Sequence, residues 1–222
     1  MKIGKTRSNI GWEIEHQYEI LFQMIDDIAE HYHDEALNVE KEVDDIYNKY
    51  ANSDYETFSN ETQGLNEVLD KPFSLCYEAK KILFCAIFSY FESMLYGIIE
   101  YYKIQRKKAN QPSQLINKIC EEYDRRFSKQ LSISKDIKNT ICDKFGILRN
   151  YYMHGLIDRG MDRLITYAKS EDSINDGLCE NYEIKDNEFL RKALDSIKGL
   201  LVSIEDAYNI KLRGNCIKGQ SC

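Results

Sequence analysis

Helical periodicity is the feature that most constrains how this chain can fold. Apolar residues recur at three- and four-residue steps along most of its 222 residues, which is the spacing of one face of an α-helix. The chain has only two prolines and 11 glycines, and no strand-like alternation of apolar and polar residues extends beyond four positions. These observations predict an all-α fold.

The most apolar predicted helix covers residues 75–105. Its apolar side chains lie on most sides of the helix, so we expect it to be central and buried. Glu92 interrupts this apolar surface. A carboxylate in such a helix needs a polar cleft or a basic partner, and a salt bridge to an arginine of a neighbouring helix is the favoured alternative.

The N-terminal part also has helical spacing, from Ile14 to Tyr32 and again from Val39 to Tyr50. This pattern predicts either one very long helix or two helices with a break near His33. Turn-forming residues are frequent in residues 52–72, which we therefore predict to be a loop.

Three helices are predicted in the second half of the chain. The first begins at Pro112, the second is capped by Ser132 or Ser134, and the third is capped by Asp186 or Asn187. The second has a predicted buried stripe of Ile137, Ile141, Phe145, Leu148 and Tyr152, and the third a stripe from Phe189 to Tyr208. Between them, residues 156–167 are a candidate short helix and residues 170–177 a predicted loop.

The end of the second of these helices carries a motif, Arg149-Asn150-x-x-x-His154, followed by Gly155. The planar guanidinium of Arg149 matches phosphate oxygens, and His154 can gain or lose a proton near neutral pH. Asn150 and His154 are four residues apart and share a helix face, whereas Arg149 and His154 point in different directions. We expect Gly155 to end the helix in a left-handed conformation. The alternative is that Arg149 is a solvated helix charge and His154 an ordinary helix-end residue.

The motif resembles the signature of the HEPN superfamily of helical ribonucleases. The resemblance implies an antiparallel four-helix HEPN-like bundle over residues 73–210, with an acidic helical extension at 1–72 and a disordered tail at 211–222. It implies that Arg149 and His154 are catalytic, that Asn150 supports them, and that RNA is cut without a metal or other cofactor at a homodimer interface. Leu156 replaces the tyrosine of one toxin subgroup. A toxin or defence role, with an antitoxin or defence-system partner, is implied by the resemblance alone.

The charge distribution agrees with a polyanionic partner at one face. The net charge is −7, but residues 1–72 carry 6 basic and 17 acidic groups while residues 103–149 carry 12 basic and 5 acidic groups. The basic stretch ends at the motif and would attract RNA. The predicted RNA-binding side chains are Tyr151, Lys144, Arg125 and Arg126. Tyr151 could stack on a base, and packing against neighbouring helices is the better explanation for Tyr152.

Other observations bear on location and on metals. Seven cysteines without a C-x-x-C pair are typical of free thiols in a reducing cytoplasm. The longest uncharged run, residues 82–91, is about half the length of a membrane span, so no membrane association is expected. Glu13-x-x-His16 and Glu30-x-x-His33 match half of a di-iron motif, but both belong to the same predicted helical region, so no metal site is expected.

Three classes of function are compatible with this sequence, and the third of them is a plain helical scaffold. The first is a metal-independent endoribonuclease in which the 2′-hydroxyl of RNA attacks the adjacent phosphate. The alternative is a catalytically silent HEPN-like module for dimerisation, nucleotide binding or partner binding, in which Arg149 only anchors a phosphate.

Overall fold

A computed structural model describes residues 9–105, 109–155, 160–177 and 181–217. The helices are α1 (Asn9–Met24), α2 (Glu30–Tyr50), α3 (Tyr55–Thr62), α4 (Leu65–Tyr101), α5 (Pro112–Phe127), α6 (Lys135–Asn139), α7 (Gly146–His154), α8 (Met161–Lys169) and α9 (Asn187–Ile217). Two π-helical turns, Ile25–Ala29 and Thr140–Phe145, join α1 to α2 and α6 to α7. The predicted all-α class is confirmed, because the described chain is mostly helical.

The central position of α4 follows from its apolar surface. It packs against α1, α2, α5, α7 and α9, and residues such as Phe91, Leu95 and Ile98 are fully buried. By length and composition alone, Asp70–Tyr101 could also cross a membrane, and it is the one such helix among the described residues. More than half of its apolar window is buried inside the fold, and the core helix of a soluble protein has the same property.

The N-terminal helices belong to the same core as the rest of the chain. Residues 9–50 form one helical run, which agrees with the first of the two predicted alternatives. Ile10, Ile14, Leu21 and Ile25 are buried in the cluster that contains the apolar residues of α4 and α9. The predicted division at residue 72 falls inside α4, so the described structure has no break between elements there.

The prediction of a loop over residues 52–72 was wrong. Some of the turn-forming residues instead mark the ends of helices: Asp54 caps α3 by accepting a hydrogen bond of 3.0 Å from the Thr57 amide. Gly64, with a φ of 80°, separates α3 from α4, and Pro72 lies within α4. At the other end of the chain, α9 continues to Ile217, so the predicted disordered tail is helical as far as that residue. Residues 218–222 are outside the described part of the chain.

The residues that carry the motif form one long helix, made of α6, the second π turn and α7, which we call the motif helix (residues 135–154). Ser134 caps this helix, and it is one of the two residues predicted as the cap. Ile141, Phe145 and Leu148 are buried as predicted, but Ile137 is 43% exposed. Ile137 belongs to α6, the first part of the motif helix, which buries none of its residues, so the buried face begins at Ile141.

A small β-hairpin was missed by the sequence analysis. β1 (Ile174–Gly177) pairs antiparallel with β2 (Asn181–Ile184), where a loop was predicted for residues 170–177. The strands have only four residues each, which is too short for a clear alternation of apolar and polar residues. The buried ammonium group of Lys80 donates a hydrogen bond of 2.6 Å to the carbonyl oxygen of Lys185, which fixes the end of the hairpin to α4.

Candidate functional site

Arg149 lies at the contact between the motif helix and α4. Its Nη2 atom is 3.5 Å from Oε2 of Glu92, and its Nη1 atom donates a hydrogen bond of 3.0 Å to Oδ1 of Asn150. Cζ of Arg149 is 5.9 Å from the centre of the Phe88 ring. The predicted salt bridge of Glu92 is therefore confirmed, and the arginine that forms it is that of the motif.

The Nε atom of Arg149 is buried and has no hydrogen-bond partner in the described structure. Only 23% of the side chain is exposed, so this N–H group is removed from most of the solvent. A buried donor without a partner is destabilising, and such donors are uncommon in folded proteins.

Arg149 and Asn150 line the same open cleft, which has a volume of about 380 Å³. Glu92 forms part of one wall, and residues 110–113, at the start of α5, form another. The rim includes Asp143 and Arg163, whose side chains form an ion pair of 3.6 Å between the motif helix and α8. The sequence analysis missed the contributions of α5 and α8, since no local pattern indicates which helices meet at a cleft.

His154 is at the end of the motif helix and outside this cleft. Its side chain is exposed, and the residues that line the cleft do not include it. The last turn stays helical, because the Gly155 amide donates a hydrogen bond of 2.9 Å to the Tyr151 carbonyl. Gly155 has the expected positive φ of 72°, but its ψ of −157° differs from the left-handed helical value that was predicted. Within one chain, the structure thus places Arg149 with Asn150 and leaves His154 apart.

The two tyrosines between Arg149 and His154 pack against the β-hairpin. The hydroxyl of Tyr152 donates a hydrogen bond of 2.9 Å to the Tyr182 carbonyl, and its ring meets Phe84 edge to face. Burial raises the pKa of Tyr152 well above its usual range. The Tyr151 ring also contacts Tyr182, with 5.5 Å between the ring centres and planes 83° apart. Tyr151 is half-buried, so part of its ring faces solvent.

The predicted RNA-binding cations are spread over the surface. Lys144 lies over the ring of Tyr167, 5.4 Å from its centre. Arg125 and Arg126 are near the end of α5, whose start lines the cleft of Arg149, so about 20 Å of helix separates them from that cleft. Both arginines form ion pairs with Glu122, at 2.5 and 2.6 Å. The hydrogen bond from Arg125, with the support of Arg126, lowers the pKa of Glu122 to about 2.

Two other basic side chains of the stretch 103–149 also have polar partners. Lys118 pairs with Glu121 at 2.5 Å, and Lys138 donates a hydrogen bond of 2.5 Å to the side chain of Asn117. Residues 106–108, which carry three of the 12 basic groups in this stretch, are outside the described part of the chain. The stretch therefore presents less unpaired positive charge at the surface than the number of its basic residues indicates.

The two Glu-x-x-His segments lie on the helical run of residues 9–50, as predicted. The His16 ring stacks on Trp12, with 4.7 Å between the ring centres, and His31 lies 4.0 Å from Glu35. Across the ranges that the structure describes, no three histidine, cysteine, aspartate or glutamate side chains are grouped as metal ligands.

Comparison with known proteins gives no relative for this chain: no family model, curated protein or solved structure matches it significantly. The functional argument therefore depends on the residues of the chain and on their geometry.

Proposed function

We propose that the chain is a metal-independent endoribonuclease of the HEPN type, in which Arg149 and His154 are catalytic and Asn150 holds Arg149 in place. The observation that carries the proposal is the placement of Arg149 and Asn150 in one open cleft, where Glu92 and Asn150 hold the guanidinium. On this assignment α4, α5, the motif helix and α9 are the four helices of the bundle. A use in toxin or defence systems follows from the motif resemblance alone.

The residue types present are sufficient for cleavage by the RNA's own 2′-hydroxyl. A base removes the proton of the 2′-hydroxyl, whose oxygen attacks the adjacent phosphorus. The bond from phosphorus to the 5′-oxygen of the next nucleotide then breaks, and an acid protonates this leaving oxygen. The guanidinium of Arg149 stabilises the additional negative charge on the phosphorane. The products are a 2′,3′-cyclic phosphate and a 5′-hydroxyl.

The separation of His154 from the cleft requires a second protomer in this mechanism. In-line displacement is best served by a base and an acid on opposite sides of the phosphate, whereas the motif of one chain has a single histidine. A two-fold axis beside the end of the motif helix would repeat each contact and bring the motif of another protomer to the same groove. The exposed side chain of Met153 provides apolar surface at that place. A homodimer with facing motifs is therefore part of the proposal.

A second candidate function is a silent module that binds RNA or a nucleotide through Arg149 and does not cleave it. The observation that favours it is the ion pair with Glu92, which neutralises part of the charge of Arg149 before any phosphate arrives. In this alternative His154 has no role in the chemistry.

The discriminating experiment is incubation of the purified protein with labelled single-stranded RNA, with and without a chelator, and with DNA of the same sequence as a control. The endoribonuclease proposal predicts cleavage that persists in chelator, spares DNA, and leaves 2′,3′-cyclic phosphate ends. Cleavage that disappears in chelator and returns with magnesium would contradict the mechanism. Tight RNA binding without cleavage would favour the silent module.

A further inference from the structure

A second concave surface lies beside the end of the motif helix, on the side of the β-hairpin. Its volume is about 410 Å³, and it is formed by α4, the end of α7 and β2. Four tyrosines from these three elements line it, so we call it the tyrosine pocket: Tyr77, Tyr151, Tyr152 and Tyr182. Gly155, the residue that follows His154, also lines the pocket. The pocket therefore lies directly beside the end of the motif helix.

The aromatic rings of the tyrosine pocket stand at an angle to one another. Tyr151 meets Tyr182 edge to face, with the ring planes 83° apart, and Tyr182 is only 5% exposed. The ring surface that a ligand can reach therefore belongs to Tyr77 and Tyr151, which are both half-buried. The Tyr152 hydroxyl is already bonded to the Tyr182 carbonyl, which fixes the position of β2 against the motif helix. Burial, together with the nearby Glu183 carboxylate, raises the pKa of Tyr77.

The charged groups of the tyrosine pocket disfavour a phosphate. Among the described residues that line it, Glu78 and Glu183 are acidic and Lys81 is basic, and Lys81 pairs with Glu78 at 2.7 Å. Burial and the neighbouring Glu78 carboxylate raise the pKa of Glu183, as expected for two acidic groups at one surface. The pocket therefore suits an aromatic group that donates hydrogen bonds, and it repels the RNA backbone.

We propose that the tyrosine pocket binds the guanine base of a nucleotide adjacent to the scissile phosphate, with the base stacked on the tyrosines and its edge on the Glu183 carboxylate. Guanine presents two neighbouring donors, N1–H and N2–H, which match the two oxygens of one carboxylate. Uracil has one donor between two acceptors, so it fits a carboxylate poorly. Stacking on aromatic side chains and bonding along the Watson–Crick edge are the usual means of reading single-stranded RNA.

This inference extends the proposed nuclease function, so binding and cleavage are measured separately. Binding is measured by fluorescence anisotropy on the His154→Ala variant, with an oligouridine and with the same oligomer carrying one central guanosine. Cleavage of the same two oligomers is measured with the wild type. We expect the guanosine oligomer to bind about tenfold more tightly, and cleavage to concentrate at the guanosine.

Glu183→Gln, in the His154→Ala background, is the informative variant. It keeps the size of the side chain but replaces one acceptor oxygen with a donor, so we expect the guanosine preference to be lost. The affinity for oligouridine should not fall, because the substitution removes a negative charge that repels the RNA backbone. Glu40→Gln removes an exposed carboxylate of α2 that does not line the pocket, and it should leave the preference intact. Tyr77→Leu tests stacking and should weaken binding of the guanosine oligomer alone.

The outcomes separate the two proposals. A guanosine preference in binding without any cleavage supports the pocket and overturns the nuclease function. Cleavage without a preference for guanosine overturns the pocket proposal and leaves the nuclease function in place. Stronger competition by N-acetylarginine amide than by guanosine would show that the pocket takes a cationic side chain, which also overturns the proposal.

Discussion

The guanidinium of Arg149 lies 3.5 Å from the carboxylate of Glu92, and this ion pair connects the motif helix to the central helix α4. Both side chains are partly exposed at the cleft, at 23% and 29%. A phosphate that enters the cleft would meet Arg149 already held in position, but it would also meet the negative charge of Glu92. The pair therefore orients Arg149 and weakens its attraction for anions.

Replacement of Glu92 with glutamine separates these two effects. Glu92→Gln should lower the free energy of unfolding by only about 0.5–1 kcal/mol, because the pair is partly solvated. It should raise the RNA affinity of the His154→Ala protein several-fold at low salt, because a competing negative charge is lost. Glu100→Gln, which changes an exposed carboxylate of the same helix, is the matched control. Equal effects of the two substitutions on RNA affinity would mean that phosphate does not reach Arg149.

Changes at the motif test the proposed catalytic roles. His154→Ala should reduce RNA cleavage by about 10²–10⁴-fold, the usual contribution of a general acid or base. Because His154 is exposed, the free energy of unfolding should change by less than about 0.5 kcal/mol. His31→Ala, an exposed histidine of α2, should leave cleavage unchanged. Full activity of His154→Ala, in a protein with normal urea unfolding, would remove His154 from the mechanism.

The shape of the guanidinium can be tested apart from its charge. Arg149→Lys keeps one positive charge but loses the planar fork, so cleavage should fall by about 10²-fold while RNA binding persists. The measurement is single-turnover cleavage beside an anisotropy titration of the same RNA. Equal cleavage by Arg149→Lys and the wild type would mean that the guanidinium does not contact the phosphate.

The facing-motif dimer predicts that subunits do not act independently. Wild-type protein mixed with an excess of His154→Ala protein should have less activity than the wild-type fraction alone would give, since most wild-type chains would share a site with a variant chain. Sedimentation at several protein concentrations should show dissociation over the range where activity per chain decreases. A protein that is monomeric and fully active would exclude the shared site.

The N-terminal helix should contribute to the stability of the whole fold. Ile14 is fully buried against the core, so Ile14→Ala should lower the free energy of unfolding by about 2–5 kcal/mol. Ile20, on the same helix, is 42% exposed, and Ile20→Ala should change the free energy of unfolding by less than about 0.5 kcal/mol. Urea unfolding followed by circular dichroism should give one transition for each protein. An early separate transition of the N-terminal residues would contradict a common core.

The ion pairs of Glu122 predict a loss of stability in acid. The two arginines lower its pKa from the ordinary 4.5 to about 2, so the folded protein holds the charged form more strongly than the unfolded chain does. This contribution is complete above pH 4.5 and is lost as the pH falls towards 2. Urea unfolding between these pH values should show a smaller decrease for Glu122→Gln than for the wild type. Glu121→Gln should follow the wild type, and equal slopes for all three proteins would contradict the assignment.

Much of the helical architecture could be predicted from local patterns. The stripe from Phe189 to Tyr208 in α9 is buried, as are Leu115, Ile116, Ile119 and Tyr123 of α5. Spacing predicts these faces because each helix turns through a fixed angle per residue, so a regular stripe must lie on one side. The same rule failed at Ile137, because α6, the first part of the motif helix, buries none of its residues.

The candidate site could be predicted only in part. The residue types of the motif, and the need of Glu92 for an arginine, were visible in the sequence. The identity of that arginine was not, since 57 residues separate Glu92 from Arg149 along the chain. The tyrosine pocket could not be predicted from the sequence either. Tyr77, Tyr151 and Tyr182 meet only through the packing of α4, the motif helix and the hairpin.

The sequence by itself therefore determined most of the helices and their buried faces, and which side chains are suited to phosphate chemistry. It did not show α3, the start of α4 or the β-hairpin. The tertiary structure decided that residues 9–50 join the common core, that Arg149 is held by Glu92, and that His154 lies outside the cleft of Arg149. The physical reason is that periodicity and side-chain chemistry are local properties of the chain. Which side chains meet across a cleft depends on how helices that are distant in the sequence pack together. That packing depends on the fit of all their side chains.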